Sequence, residues 1–388
     1  MFRLRPTARQ HVALAACVEA HRELYNAALQ ERRDAWSHAS KTRISYGDQS
    51  GQLTEMRALC PDQAVWSFSS QQATLRRLNK AFAGFFRRVK AGQTAGYPRF
   101  RGAGWFDSVE WPKDGDGARW LPERRRVYLQ GIGQVKVELH REVAGRVKTI
   151  QIKRQSRRWM LVLSCDDVPA NPLPATGRPV GIDVGVVSFA ATSDGDHIDN
   201  PRWARTAAGR LAAAQRRLQR ACRGGKNRVA KRETVAARYR KIANQRKDFH
   251  HKRARDLVAR YDLIVVEDLK IKNMLRRARP VPDPDHPGMF LPNGARAKTG
   301  LNRSISDAGW GQFVSILHAK AEDAGRAWIE VKPQHTSERC ERCGHAARDN
   351  RVTQAEFACQ HCGHTASADE HAARNILRAG LAHHAQAA

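Results

Sequence analysis

Val180-Gly181-Ile182-Asp183-Val184-Gly185-Val186 decides the fold. Its β-branched content makes it a strand, and Ser188-Phe189-Ala190-Ala191-Thr192 followed by Asp194-Gly195 makes it the first arm of a β-hairpin. A carboxylate between Ile182 and Val184 is costly in such a strand unless something pairs with it. Gly181 and Gly185 flank it and leave room for another backbone to come close. A second apolar run, Leu263-Ile264-Val265-Val266, reads as a buried strand ending in Glu267-Asp268. A third acid, Asp369, opens the helical run Asp-Glu-His-Ala-Ala-Arg-Asn-Ile-Leu near the C-terminus. Each acid alone has an ordinary explanation: an internally paired carboxylate for the first two, a helix N-cap for Asp369.

Together the three fit one design. An acid inside the first strand, one at the end of a later parallel strand and one on a terminal helix can converge at one sheet edge. Ribonuclease H-like nucleases hold two Mg2+ ions in this way, stabilising the attacking water and the leaving oxygen of phosphodiester cleavage. No Ser-His-Asp arrangement and no phosphate-binding glycine loop competes with this reading.

Seven residues before Asp369 ends a C-x2-C-x15-C-x2-C pattern: Cys340, Cys343, Cys359 and Cys362. Each C-x2-C pair forms a tight knuckle, with Gly344 and Gly363 at the turns, and two knuckles give one tetrahedral, structural zinc site. His345, His361 and His364 are nearby substitutes, but four thiolates complete the shell, so this zinc has no open catalytic position. Arg339, Arg342 and Arg348 could face nucleic acid or solvent. The other cysteines, Cys17, Cys60, Cys165 and Cys222, show no framework spacing. Metal ligation in a reducing compartment is therefore the expectation rather than disulfides.

The chain has 388 residues, 68 Lys plus Arg against 38 Asp plus Glu, and a formal net charge of +30. That excess points to a polyanion, nucleic acid above all. Met1-Phe2-Arg3-Leu4-Arg5-Pro6 lacks an apolar signal region, and no stretch has the length of a membrane span. A cytoplasmic, nucleoid-associated protein is expected, with no membrane partner and no small-molecule substrate.

The pattern along the chain predicts an α+β multidomain protein. Residues 1–167 form an N-terminal nucleic-acid-binding region, helical over about 7–92, with short strands that fit a small barrel or sandwich and are assigned as a small β-barrel from residues 1–6 and about 105–167. A Pro-rich linker follows at 168–179, then an α/β nuclease domain at 180–335. The four-cysteine zinc ribbon is inserted at 336–365, the last helix of the nuclease domain spans 366–380, and 381–388 form a disordered tail. Residues 202–260 read as strongly basic helix and 272–304 as a mobile loop, before a helix near 306–324.

The motifs resemble the TnpB (OrfB) family, insertion-sequence-encoded proteins long described as transposases. The match runs through Gly181–Gly185, Lys226-Asn227-Arg228, Lys247-Asp248-Phe249-His250 and Val266-Glu267-Asp268-Leu269. It continues through Ile305-Ser306-Asp307-Ala308-Gly309-Trp310, Thr336-Ser337, both cysteine pairs and Ala368-Asp369. Tyr25-Asn26, Phe85-Phe86 and Pro98-Arg99-Phe100 extend it to the N-terminal half. The resemblance implies an RNA-guided DNA endonuclease related to the ancestors of type V CRISPR effectors. Its implied partners are a guide RNA from the transposon end and a double-stranded target beside a transposon-adjacent motif. It also implies that the small barrel is a wedge domain and that the nuclease domain is RuvC-like. Asp183, Glu267 and Asp369 take its catalytic, Mg2+-binding positions. His371 stands where the family often has Asn, whereas Asn375 matches.

The basic segment, with Lys226, Arg228, Lys231, Arg232, Lys247 and Lys252, then lines a channel for guide RNA and heteroduplex through backbone contacts. The helix with Ser70, Gln71, Thr74, Arg76 and Arg77 is the candidate reader of the adjacent motif, since Gln addresses adenine and Arg guanine. Two other functions remain open: a guide-bound regulator that does not cut, and a transposase that joins strands. Loss of triad acids would mark the first, and all three are present.

Overall fold

The computed structural model describes residues 1–387. It forms two compact units, Met1–Pro169 and a second from Ala170 onward.

In the first unit, β1 (Phe2–Arg5) leads into α1 (Ala8–Ser37), whose start is fixed by a capping box between Thr7 and Gln10. Three short helices, α2 (Tyr46–Gly51), α3 (Leu53–Leu59) and α4 (Pro61–Ala64), precede α5 (Phe68–Lys90). Six strands follow: β2 (Ser108–Trp111), β3 (Ala118–Leu121), β4 (Arg126–Leu129), β5 (Gly133–Glu138), β6 (Arg146–Gln155) and β7 (Arg158–Asp166). With β1 they make one antiparallel sheet in the order β2-β6-β7-β1-β5-β4-β3. Its outer strands, β2 and β3, do not pair with each other, so by hydrogen bonding it is an open sheet rather than the expected closed barrel. β1 lies in the middle because Phe2 and Leu4 alternate into a core shared with Leu14, Tyr25 and Leu75 of the helices and Trp111 and Trp159 of the sheet.

The second unit begins with β8 (Pro179–Val184), β9 (Ser188–Thr192) and β10 (His197–Asp199). Two basic helices, α6 (Trp203–Gln219) and α7 (Lys226–Arg260), lead to β11 (Leu263–Glu267). After α8 (Ile271–Met274) comes a minute hairpin of β12 (Val281–Pro282) and β13 (Phe290–Leu291). Then come α9 (Ala295–Ala308), α10 (Trp310–Asp323) and β14 (Ala327–Val331). The ribbon hairpin, β15 (Glu356–Ala358) and β16 (Thr365–Ser367), hands over to α11 (Ala368–Ala387). The five-stranded sheet runs β10-β9-β8-β11-β14, with β8, β11 and β14 parallel and the hairpin partners antiparallel.

Strand parity divides its two faces. Val180, Ile182, Ile264 and Val266 bury against α7 and α10 through Leu257, Val258, Phe313 and Leu317. Val265 faces the other way, against Ile376 of α11.

Three expectations change. The supposed linker is docked rather than free: the Asp262 carboxylate accepts from Thr176 N (2.7 Å) and Gly177 N (2.5 Å), and Arg326 donates to Pro174 O. The loop expected over 272–304 contains most of α9. Gly309, at φ 71°, separates α9 from α10, so the helix predicted near 306–324 begins at Trp310 and ends at Asp323. Asp307 then caps α6, accepting from Ala204 N at 2.8 Å. The tail expected after Leu381 continues α11 to Ala387, because Ala382–Ala387 contains no Gly or Pro to stop the helix; Ala388 lies outside the described residues. No helix among the described residues is long and apolar enough to cross a membrane.

Candidate active site

Parity puts Asp183 on the same face of β8 as Gly181, and Glu267 on the same face of β11 as Val265. The β11–β8 register pairs Val265 with Gly181 and Val266 with Ile182, so its constant offset extends to Glu267 beside Asp183. That face carries α11, whose first turn holds Asp369. The helix lies unusually close to the strands. A Cβ on Gly181 would stand 2.2 Å from Ala373 O and 2.6 Å from Leu377 N, and one on Gly380 would stand 2.5 Å from the Val265 side chain. Only glycine permits this approach at Gly181.

Asp183 senses both other carboxylates. Burial, followed by the charges of Glu267 and Asp369, pushes the Asp183 carboxyl up to about 7 from its ordinary 3.8; Arg351 and a backbone hydrogen bond from Val184 act in the opposite sense. Burial also raises Glu267, partly offset by Thr336, whose Oγ1 donates to Glu267 Oε1 at 2.5 Å. Arg351 stands 3.9 Å from Asp369 Oδ1. A cation beside two carboxyls driven upward next to a third acid would favour their ionised forms. The carboxylates are less tightly gathered than the thiols, since they are not among the ligand groups whose atoms all fall within 4.8 Å. Sequence reasoning gave Arg351 no role, and it quoted Thr336 only as part of a motif. An Arg in the ribbon carries no local sign that it faces Asp369.

Cys340, Cys343, Cys359 and Cys362 bring their sulfurs within 4.8 Å of one another. Cys340 Sγ lies 3.7 Å from Cys362 Sγ, and Cys343 Sγ lies 3.5 Å from Cys359 Sγ. Tetrahedral thiolates around zinc at about 2.3 Å would stand about 3.8 Å apart, whereas a disulfide needs about 2.05 Å. The cluster fits a structural zinc. The ribbon is fastened to α11: Arg339 O accepts from His371 Nε2 (2.7 Å) and Asn375 Nδ2 (2.6 Å), and Arg378 Nη1 donates to Glu341 O (2.7 Å). The role of His371, unexplained by sequence, begins here: a fully buried ring that ties Arg339, just before the first cysteine, to the helix of Asp369.

The proposed base-reading residues fare differently. Gln71 is wholly buried; Nε2 donates to Gln63 O (2.9 Å) and Oε1 accepts from Arg57 (2.5 Å). It cannot read a base, because its amide is already satisfied inside the unit. Ser70 and Thr74 are buried beside it. Arg77 lies over the Phe106 ring at 4.5 Å and donates to Ser108 O, and burial lowers its pKa. Arg76 is half-buried near the Tyr46 hydroxyl. On α7, Lys226, Arg232, Lys247 and Lys252 are exposed and Lys231 is half-buried, while Lys252 pairs with Asp248 at 2.8 Å. Arg228 is instead an internal cap, donating to Leu218 O and Ala221 O at the end of α6.

A family profile described as "Probable transposase" (OrfB_IS605) matches residues 146–278. Profiles for a Cas12f1-like TNB domain and for a helix-turn-helix domain match 310–376 and 1–41. The last span is β1 and the single long helix α1 here. The Escherichia coli (strain K12) protein named "Putative RNA-guided DNA endonuclease InsQ" is 33% identical over 98% of this chain and 91% of its own length. The chain belongs to the TnpB (OrfB) family. A Streptomyces pristinaespiralis family member, named "Putative RNA-guided DNA endonuclease", is 32% identical over 98% of this chain and 89% of its own. The cryo-EM structure of a Cas12f1–sgRNA–target DNA complex aligns over 97% of both chains, at 16% identity and a TM-score of 0.36, too distant to carry a fold argument.

Proposed function

We propose that this chain is an RNA-guided DNA endonuclease of an insertion sequence, cutting DNA beside a transposon-adjacent motif with one RuvC-like site. The observation that carries the reading is the placement of Asp183, Glu267 and Asp369 toward the α11 face of the sheet, where burial, and then the charges of Glu267 and Asp369, push Asp183 up to about 7. The strand order β10-β9-β8-β11-β14, three parallel strands with an antiparallel hairpin at one side, supports a ribonuclease H-like domain. The named relatives support guide RNA and DNA as partners.

Asp183, Glu267 and Asp369 would hold Mg2+, which when bound, as two ions, stabilises the attacking water and the leaving oxygen of phosphodiester hydrolysis. The protein's own part is positioning. Thr336 fixes one oxygen of Glu267 and leaves the other open. The Gly181 contact sets the distance of Asp369 from β8. Burial strips water from Asp183 and raises its carboxyl, so a cation beside it favours the ionised form. The exposed cations of α7 suit RNA or heteroduplex phosphates.

The test is cleavage of a matched plasmid by the purified protein with its co-purifying RNA and Mg2+, alongside Asp183→Ala. Cutting by the wild type alone, with RNA retained by both, is the expected result. No cutting by the wild type would favour a regulator, and undiminished cutting by the variant would overturn the site.

A further inference from the structure

Beside the thiols lies a second group of ligand atoms that the carboxylate site does not use. Glu341 sits within the first cysteine pair, His364 just after the second, and His371 on α11. Their carboxylate and ring-nitrogen atoms all lie within 4.8 Å of one another. Glu341 Oε1 is 3.0 Å from His364 Nε2 and 3.9 Å from His371 Nδ1.

His371 is the telling member. Its ring is fully buried and stacked on Phe357, with centroids 3.6 Å apart at 19°. Nε2 lies 2.7 Å from Arg339 O. A carbonyl only accepts, so Nε2 carries the proton and the neutral ring presents a bare lone pair at Nδ1. Asn375 Nδ2 lies 3.1 Å from Nε2, but its two hydrogens are engaged by Arg339 O and Thr336 O, so it does not compete for the ring proton. Nδ1 is buried with no hydrogen-bond partner. A buried lone pair aimed at a carboxylate oxygen, acceptor toward acceptor, lacks a positive group between them. Metal-bound histidines are commonly oriented in this way, with the remote N–H given to a backbone carbonyl.

We propose that Glu341, His364 and His371 form a second transition-metal site, distinct from the four thiolates, for Zn2+ or a metal of similar preference. The donors are one carboxylate oxygen, His364 Nε2 and His371 Nδ1. Glu341 and His364 keep side-chain exposures of 22% and 18%, leaving an open side for water as a fourth ligand. Binding moves the His364 proton from Nε2 to Nδ1 or to solvent and displaces Arg374, which lies 3.2 Å from Glu341 Oε1. Arg374 also pairs with Glu370, 3.2 Å away, and is 40% exposed, so it can leave Glu341 without losing its other partner. The site would clamp the ribbon to the helix that bears Asp369.

The experiment is a Co2+ titration of metal-free, reduced full-length protein in an Asp183→Ala background, which weakens the carboxylate site as a competitor. Two equivalents are expected: one with intense thiolate charge-transfer absorption, one with only weak visible bands. Glu341→Gln and His364→Gln should each weaken the second equivalent by at least about 100-fold, since losing even an outer-shell partner of a ligand costs up to that much. The thiolate band, retained, reports that the variant ribbon has folded. A single equivalent in the parent protein, or a second equivalent that persists in both variants, overturns the proposal.

Discussion

The carboxylate site and the thiolate site meet at α11, which carries Asp369 and to which the ribbon is fastened, and they are built in opposite ways. The four sulfurs come from two local knuckles, and each pair is positioned by its own turn. Asp183, Glu267 and Asp369 come from two strands and a helix, and nothing local brings them together. Their meeting depends on sheet register and on a helix backbone lying against Gly181. A metal can gather the first kind of site, whereas tertiary packing must gather the second before any metal arrives.

The largest effect should come from Asp183→Asn. Cleavage should fall by roughly 10⁴-fold, the scale of removing one member of a catalytic unit, while zinc content stays unchanged. The same variant should stabilise the Mg2+-free protein. With Asp183 at about 7 when folded and 3.8 as the ordinary value, protonation favours the folded state. That stability is complete below about pH 4 and is lost as pH rises through 7. Denaturant melts without Mg2+ should therefore show the variant more stable at pH 8, by on the order of 4 kcal/mol, with the gap closing toward pH 4. A constant gap would mean that Asp183 does not titrate in this window.

Gly181→Ala comes next. Its Cβ would overlap backbone atoms, which cannot swing aside as a side chain can, so a cost of about 3 kcal/mol and a large loss of cleavage are expected. The thiols should still bind zinc, which metal analysis would verify. Zinc removal probes the converse. After chelation and return of Mg2+ alone, hydrogen exchange should rise across the ribbon and the start of α11 while β8 and β11 stay protected. Equal loss of protection throughout the unit would erase the distinction between the two sites.

Much of this was legible in the sequence, and for a physical reason. An acid within an apolar strand, or a paired-cysteine spacing, violates what a core or a surface prefers and so stands out. Asp183 and the cysteines were visible in that way, and so was the hairpin of β8 and β9. Gln71 was misread because a polar residue on an Arg-rich helix looks exposed, and only the fold reveals Arg57 and Gln63 around it. Arg228 shows the same limit: its backbone partners, Leu218 O and Ala221 O, are not displayed by sequence. The start of α10 hung on Gly309 at positive φ, and a Gly inside a helical pattern can be tolerated, so sequence alone does not mark it as a stop. The clamp at Gly181 was half visible: the glycine suggested a close approach without naming α11 as what approaches.

The smallest expected effect tests the joint between the two sites. Thr336 lies where the ribbon leaves the sheet, and its hydroxyl is the one side-chain hydrogen bond lowering Glu267. Thr336→Val keeps the shape and removes the donor. Glu267 should then titrate higher, so cleavage should fall by about tenfold and need more Mg2+ or higher pH to recover, because a carboxylate must lose its proton to bind the ion. Thr336→Ser should retain nearly full activity, since it restores the hydroxyl. If Val and Ser lose the same activity, the methyl packing of Thr336 matters and the hydrogen bond does not. The carboxylates would then owe nothing specific to the ribbon beyond the helix they share.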